Sequence, residues 1–164
     1  MKRMGIVLLA LVALAGPARL ASSETKGAPG FDKLKSLLGE WRGKDGEGRD
    51  VDVSYSLTGG NTAVMETLKM GAGMNMVTLY HPDKDRLMMT HYCILGNQPR
   101  MLGTGDDKSL TFSLVDATNL PGPDAPHMRK LVISFPDKDH LTHEWTMRAA
   151  GQDKAETFRV ERKK

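Results

Sequence analysis

The segment RDVDVSYSLTGGN, residues 49–61, has the pattern from which the fold class is predicted. Its first nine residues alternate, with Val51, Val53, Tyr55 and Leu57 on one side and Asp52, Ser54 and Ser56 on the other. Successive side chains of a strand point to opposite faces, so this alternation predicts a strand with one buried and one exposed face. The following Thr-Gly-Gly-Asn has the composition of a tight hairpin turn. The stretch therefore predicts an antiparallel hairpin that begins at residue 49.

Strand-length segments separated by turn residues recur to the end of the chain. Ten strands are predicted, at residues 40–44, 49–57, 62–70, 74–81, 86–95, 100–104, 109–116, 129–135, 140–148 and 155–161. One short helix is predicted over residues 31–38, where apolar side chains recur at helical spacing. Short strands joined mostly by tight turns predict an all-β fold, an antiparallel up-and-down barrel of about ten strands, with a two-sheet sandwich as the alternative.

The first 21 residues have the layout of a secretory signal peptide. A basic start is followed by an apolar run at residues 6–15, which is too short to span a bilayer, and then by small residues. Cleavage is expected between residues 18 and 22. The chain then divides into the signal peptide at 1–21, a flexible lead-in at 22–30 and one barrel domain at 31–164, and the expected location is secreted or periplasmic.

The charge balance changes once this leader is removed. The whole chain carries 23 basic and 20 acidic residues, and cleavage after Ala21 removes three of the basic ones. The mature protein is then formally neutral, so no nucleic-acid partner is expected, and it has no predicted membrane span.

Two related segments place histidines on inward strand faces. They are PDKDRLMMTH at residues 82–91 and PDKDHLTH at residues 136–143, each a proline-aspartate turn followed by a leucine and a Thr-His pair. In both segments an even number of residues separates leucine from histidine, so the two side chains share a face. The predicted ligand-binding wall consists of the two histidines, the residues that share a strand face with them, and Tyr55 from residues 49–57. Its members are Tyr55, Met89, His91, Cys93, His143 and Trp145. Such a wall predicts binding of a small, largely apolar molecule in the barrel interior.

A metal site is an alternative interpretation of the same side chains. His91, Cys93 and His143 could supply three ligands, whereas His140 and His143 lie three apart and face opposite sides of a strand. Nine methionines follow the leader, and thioethers either bind Cu(I) or fill an adaptable apolar cavity. No cofactor is identified from these residues. The lone Cys93 lacks a partner for an internal disulfide and is expected to be buried.

Enzyme signatures are mostly absent from the sequence. It contains no Gly-x-Ser-x-Gly elbow, no phosphate-binding loop with the required spacing and no visibly paired carboxylates. No catalytic residue is assigned, and a small enzyme built on the same barrel is kept as a second alternative.

The segment LLGEWRG, residues 37–43, resembles the opening Gly-x-Trp strand of lipocalin-like, or calycin, barrels, most closely the nitrobindin and fatty-acid-binding-protein branch. The segments LYHPDKDRLMMTHYCILGNQPRM and LTHEWTMRAAGQDKAETFRVERK resemble an uncharacterised family of exported bacterial proteins with a lipocalin-like domain. The resemblance implies a closed barrel with a small interior cavity, the Gly39-x-Trp41 motif at one end and an arginine of the last strand, Arg159 or Arg162, over the tryptophan. Nitrobindins bind haem through a late histidine. His143 lies late in the chain but lacks a matching flanking motif, so haem stays within the metal alternative.

Overall fold

The computed structural model describes residues 28–71 and 73–164. The predicted signal peptide and most of the predicted lead-in lie outside these residues. The described chain contains one helix, α1 (Phe31–Lys35), followed by ten strands. The strands are β1 (Gly39–Lys44), β2 (Asp50–Thr58), β3 (Ala63–Met70), β4 (Met74–Asp83), β5 (Arg86–Tyr92), β6 (Gln98–Gly105), β7 (Ser109–Thr118), β8 (His127–Ser134), β9 (His140–Ala149) and β10 (Gln152–Arg162).

The ten strands form one closed antiparallel barrel. Each strand pairs with its neighbours in sequence, and β1 pairs with β10 to close the sheet, with Trp41 opposite Arg162 and Lys44 opposite Arg159. Closure leaves no unpaired sheet edge, which removes the usual route to edge-to-edge association. The predicted all-β up-and-down barrel with one preceding helix is confirmed, and the sandwich is excluded.

The burial pattern of β2 is the one that the alternation of residues 49–57 predicts. In β2, Val51, Val53 and Tyr55 are buried in the barrel, and the residues between them are partly or fully exposed. The same period of two continues around the barrel and supplies an interior built from aliphatic, methionine and aromatic side chains. Two register shifts interrupt it, between Arg100 and Met101 and between Met128 and Lys130.

The helix closes one end of the barrel. Phe31 and Leu34 on α1 and Leu37 just after it are buried against the strands, and the indole N–H of Trp41 donates to the Leu37 carbonyl at 2.8 Å. Gly39 has a φ of 120°, a conformation that side-chain-bearing residues rarely adopt, as the chain turns from the helix into β1. We call this end of the barrel the closed end.

The other end of the barrel carries the loops that follow the odd-numbered strands β1, β3, β5, β7 and β9, and we call it the open end. Here β5 is shorter than predicted, because it ends at Tyr92 rather than Leu95. The chain turns after Cys93, whose carbonyl accepts a hydrogen bond from the Gly96 amide at 2.9 Å, and Ile94 and Leu95 are left exposed. Within the described part of the chain, no helix has the length and apolar character needed to cross a membrane.

Candidate functional site

A cavity of about 610 Å³ opens at the open end of the barrel. Its wall is formed mainly by β3, β4, β5, β9 and β10, and five of its lining residues are methionines, namely Met70, Met74, Met76, Met128 and Met147. Leu68 and Phe158 add aliphatic and aromatic surface. Methionine side chains are flexible and polarisable, so this wall can adapt to the shape of an apolar molecule.

Two aromatic rings that line the cavity meet at its inner surface. His91 on β5 and Trp145 on β9 have ring centroids 4.5 Å apart at an interplanar angle of 42°. His91 Nδ1 forms a 2.9 Å hydrogen bond with the hydroxyl of Thr78 on β4. Both His91 Nε2 and Trp145 Nε1 are buried and have no hydrogen-bond partner among residues 28–71 and 73–164. We call this pair of rings the floor of the cavity.

A polar cluster lies inside the barrel among residues that do not line the cavity. The hydroxyl of Tyr80 donates to Glu66 Oε2 at 2.8 Å, and the hydroxyl of Tyr55 is hydrogen-bonded to His143 Nε2 at 2.9 Å. All four side chains are buried. Glu66 Oε1 and His143 Nδ1 lack a partner in the described chain. Buried polar groups are usually paired, so these two atoms are exceptions within the described chain.

Burial dominates the protonation of the interior groups. It lowers the pKa of His91 from 6.5 to about 4, because the charged imidazolium is disfavoured away from water. Burial also lowers the pKa of His143, with partial opposition from the charge of Glu66. The pKa of Tyr55 and the pKa of Tyr80 are both raised well above 10, by burial first and by Glu66 second. His91 and His143 are therefore neutral at neutral pH.

The mouth of the cavity is polar and charged. Arg49 forms ion pairs with Asp45 at 2.5 Å, Glu47 at 3.1 Å and Glu156 at 3.0 Å. Lys154 also lines the mouth. Arg49, Glu47 and Glu156 are thus placed where solvent reaches them, and the buried Asp45 carboxylate is paired with Arg49.

The six predicted wall residues divide into two groups. His91, Cys93 and Trp145 line the cavity, whereas Tyr55, Met89 and His143 are buried in the barrel and are not among its lining residues. Cys93 is a free, buried thiol whose pKa is raised by burial. His140 is exposed and His143 buried, as their odd separation indicates. Sequence reasoning overlooked Glu66, although its position between Val64 and Leu68 on one strand face is a signal that it points inward.

Of Arg159 and Arg162, the two arginines that the resemblance offered for the position over Trp41, Arg159 does not lie there. Arg159 is exposed, because it lies on the face of β10 opposite to the buried Phe158 and Val160. Arg162 shares the face of those two residues and places its guanidinium carbon 4.1 Å from the centroid of the Trp41 ring. Arg162 is thus the other of the two arginines that the resemblance offered for this position.

The three side chains considered for a metal site do not converge on one point of the barrel. His91 and Cys93 line the cavity, but His143 is bound to Tyr55 in the polar cluster. In the ranges 28–71 and 73–164, no three His, Cys, Asp or Glu side chains form a group that could hold a metal ion.

Comparison with known proteins supports the fold. A crystal structure of a protein of unknown function from the DUF3598 family, from Nostoc punctiforme PCC 73102, matches 79% of this chain with a TM-score of 0.57 and 13% sequence identity. The match spans 49% of that protein, about half its length. No protein-family model and no curated protein matches the chain. The likeness establishes a shared barrel architecture.

Proposed function

We propose that this protein is an exported barrel of lipocalin-like type that holds a small, largely apolar molecule in its interior. The observation that carries the proposal is the cavity of about 610 Å³, walled by methionine, leucine and phenylalanine side chains and open at one end. This volume falls within the usual range of small-molecule sites, and an apolar wall with few polar groups is typical of them. Affinity comes from burial of apolar ligand surface against the methionines.

Two further observations support the type of barrel and its location. The Gly39-x-Trp41 motif at the closed end, with Arg162 over the indole ring, is the arrangement that the resemblance implies for lipocalin-like proteins. The leader pattern of residues 1–21 supports export.

The proposal is tested with the neutral apolar dye N-phenyl-1-naphthylamine. We expect one molecule of dye to bind per chain, with enhanced fluorescence, and we expect Cys93 to react more slowly with a thiol reagent when the dye is present. Cys93 lines the cavity and is the single cysteine of the chain, so its protection locates the dye.

A matched pair of variants separates the cavity from the outer surface. Met76→Trp fills the cavity, and we expect it to reduce dye binding at least about ten-fold. Met65→Trp places the same side chain on the outer face of β3, beside the buried Val64, and we expect it to leave binding unchanged. Absence of dye uptake by the parent protein, or equal loss in both variants, would reject the proposal.

A second candidate is a metal or haem protein that uses an interior histidine. One observation favours it: Thr78 holds His91 Nδ1 at 2.9 Å, and His91 Nε2 has no partner in the described residues, as in histidines oriented for ligation. Haem would add redox or gas-binding chemistry to the cavity. Titration with haemin followed by absorbance tests it, with loss of the spectrum expected in His91→Ala and retention in His140→Ala, whose side chain is exposed.

A further inference from the structure

The floor of the cavity contains two nitrogen atoms that lack partners among the described residues. Trp145 Nε1 and His91 Nε2 are both buried, both without a hydrogen bond in the part of the chain that the structure describes, and they belong to rings 4.5 Å apart. A buried polar group without a partner is unfavourable, and in native proteins it is usually explained by a bound water or ligand. Both residues line the cavity, so a molecule bound there is within reach of both rings.

We propose that the ligand enters head first and that its head is an uncharged, oxygen-bearing group, with a hydroxyl the best fit. The ligand oxygen accepts a hydrogen bond from the indole N–H of Trp145 and forms a second hydrogen bond with His91 Nε2, while the apolar tail lies along the methionines toward the mouth. This inference rests on the proposed function and names the ligand class for the same cavity.

The chemistry of the two nitrogens selects the head group. The indole nitrogen is a donor only, so its partner must be an acceptor. A neutral imidazole carries its proton on Nδ1 or on Nε2, so His91 Nε2 is either an acceptor or a donor. The Thr78 hydroxyl accepts from a protonated Nδ1 and donates to an unprotonated one, so it is compatible with both tautomers. A hydroxyl both accepts and donates, and it can therefore hydrogen-bond to Trp145 Nε1 and to His91 Nε2 in both tautomers of His91. An ester or ketone can do so in one tautomer, and a hydrocarbon in neither.

The surroundings of the floor disfavour an anionic head. Among the described residues, no lysine or arginine side chain is buried, and the two cations that line the cavity, Arg49 and Lys154, lie at its mouth. The carboxyl group of Glu66 lies inside the same barrel and is bound by Tyr80, two residues along β4 from Thr78. A carboxylate at the floor would lose its hydration without gaining a cation.

Three compounds of equal chain length test this inference: octan-1-ol, octane and octanoic acid at pH 7. The readout is the indole N–H resonance of protein labelled with ¹⁵N-tryptophan. The chain contains two tryptophans, and Trp41, whose N–H is already donated to Leu37, is an internal reference. We expect octan-1-ol to shift the Trp145 resonance and leave that of Trp41 in place, and we expect octane to bind without this shift.

Affinities complete the test. We expect octan-1-ol to bind about five-fold more tightly than octane and at least about ten-fold more tightly than octanoate. Trp145→Phe keeps an aromatic side chain but removes the indole N–H donor, so octan-1-ol should bind about five-fold more weakly, whereas the affinity for octane should change much less. Met147→Leu changes another lining residue and should preserve the preference for the alcohol.

The outcomes separate this inference from the proposed function. If the naphthylamine dye and octane bind but the alcohol has no advantage, or if octane moves the Trp145 resonance as the alcohol does, the head-first orientation is overturned and the apolar cavity stands. Octanoate binding as tightly as the alcohol also overturns it, because a charged head is then accepted. If neither the dye nor any of the three compounds binds, both this inference and the proposed function are wrong.

Discussion

Arg162 lies over the indole ring of Trp41, with its guanidinium carbon 4.1 Å from the ring centroid. The same guanidinium donates to the carbonyl of Leu38 at 2.8 Å and to that of Ser36 at 3.0 Å. The indole in turn donates to the carbonyl of Leu37. Because these three carbonyls follow the helix, the pair joins the last strand, the first strand and the helix, and it fixes the closed end of the barrel.

Loss of this contact should destabilise the protein. We expect Arg162→Ala to lower the melting temperature by about 5–10 °C, since it removes a cation–π contact and charge-assisted hydrogen bonds worth about 2–4 kcal/mol together. Arg162→Lys keeps the charge but loses the planar fork, so an intermediate decrease is expected. Arg159→Ala is the control, and thermal unfolding should change by less than about 2 °C. Equal losses in the two alanine variants would contradict this role for Arg162.

Strand alternation accounts for most of what the sequence predicted correctly. It placed His143 and Trp145 on one inward face. It also separates Arg162 from Arg159, because Arg162 lies an even number of residues from the buried Phe158 and Val160 and so shares their face. An odd or even position in a strand determines the face on which a side chain lies, but not its depth along the barrel axis. Depth depends on strand tilt and register, so the sequence did not distinguish the cavity-lining His91 from the deeper His143.

The early end of β5 and the two register shifts were also beyond the sequence pattern. Residues 93–95 continue the apolar run, yet the hydrogen bond from Gly96 to Cys93 turns the chain there. Glu66 was overlooked for a different reason. Glutamate side chains are usually exposed, so residue type outweighed the inward parity of Glu66, and its burial depends on Tyr80 from the adjacent strand.

Gly43 should tolerate no side chain where β1 meets β10. A Cβ atom built on Gly43 would lie 1.8 Å from the carbonyl oxygen of Arg159, a backbone atom that moves only if the strand pair separates. We expect Gly43→Ala to lower the free energy of unfolding by about 2–4 kcal/mol, measured by urea denaturation. Gly122→Ala, at a position with open space around it, should change that free energy by less than about 0.5 kcal/mol. A Gly43→Ala protein as stable as the control would show that β1 and β10 are not in such close contact.

The buried pair of Tyr80 and Glu66 should show strong coupling. Tyr80→Phe leaves the Glu66 carboxyl without its 2.8 Å donor, and we expect a loss of about 2–3 kcal/mol in unfolding free energy. The double variant Tyr80→Phe/Glu66→Met replaces both polar partners with apolar groups, so it should recover most of that loss. Urea denaturation of the two single variants and the double variant measures the coupling. Additive losses would mean that the two groups do not depend on each other.

Protonation of His91 and His143 should make the protein less stable in mild acid. The pKa of His91 is lowered from 6.5 to about 4 by burial, so the unfolded chain binds this proton at a higher pH than the folded chain. Stability is therefore complete above pH 6.5 and decreases as the pH falls toward 4, by up to about 3 kcal/mol for a shift of this size. His143, whose pKa is also lowered by burial, acts in the same direction.

We expect the free energy of unfolding to decrease between pH 6.5 and pH 4, and we expect His91→Gln to show a clearly smaller decrease, because glutamine does not titrate in this range. Urea denaturation at half-unit pH steps measures both slopes. His140→Gln is the control: His140 is exposed and Asp137 raises its pKa, so its contribution is present below pH 6.5 and is lost as the pH rises through the raised pKa. Removal of His140 should therefore steepen the decrease slightly or leave it unchanged. Identical slopes in the parent protein and in His91→Gln would show that His91 is not held neutral by the barrel.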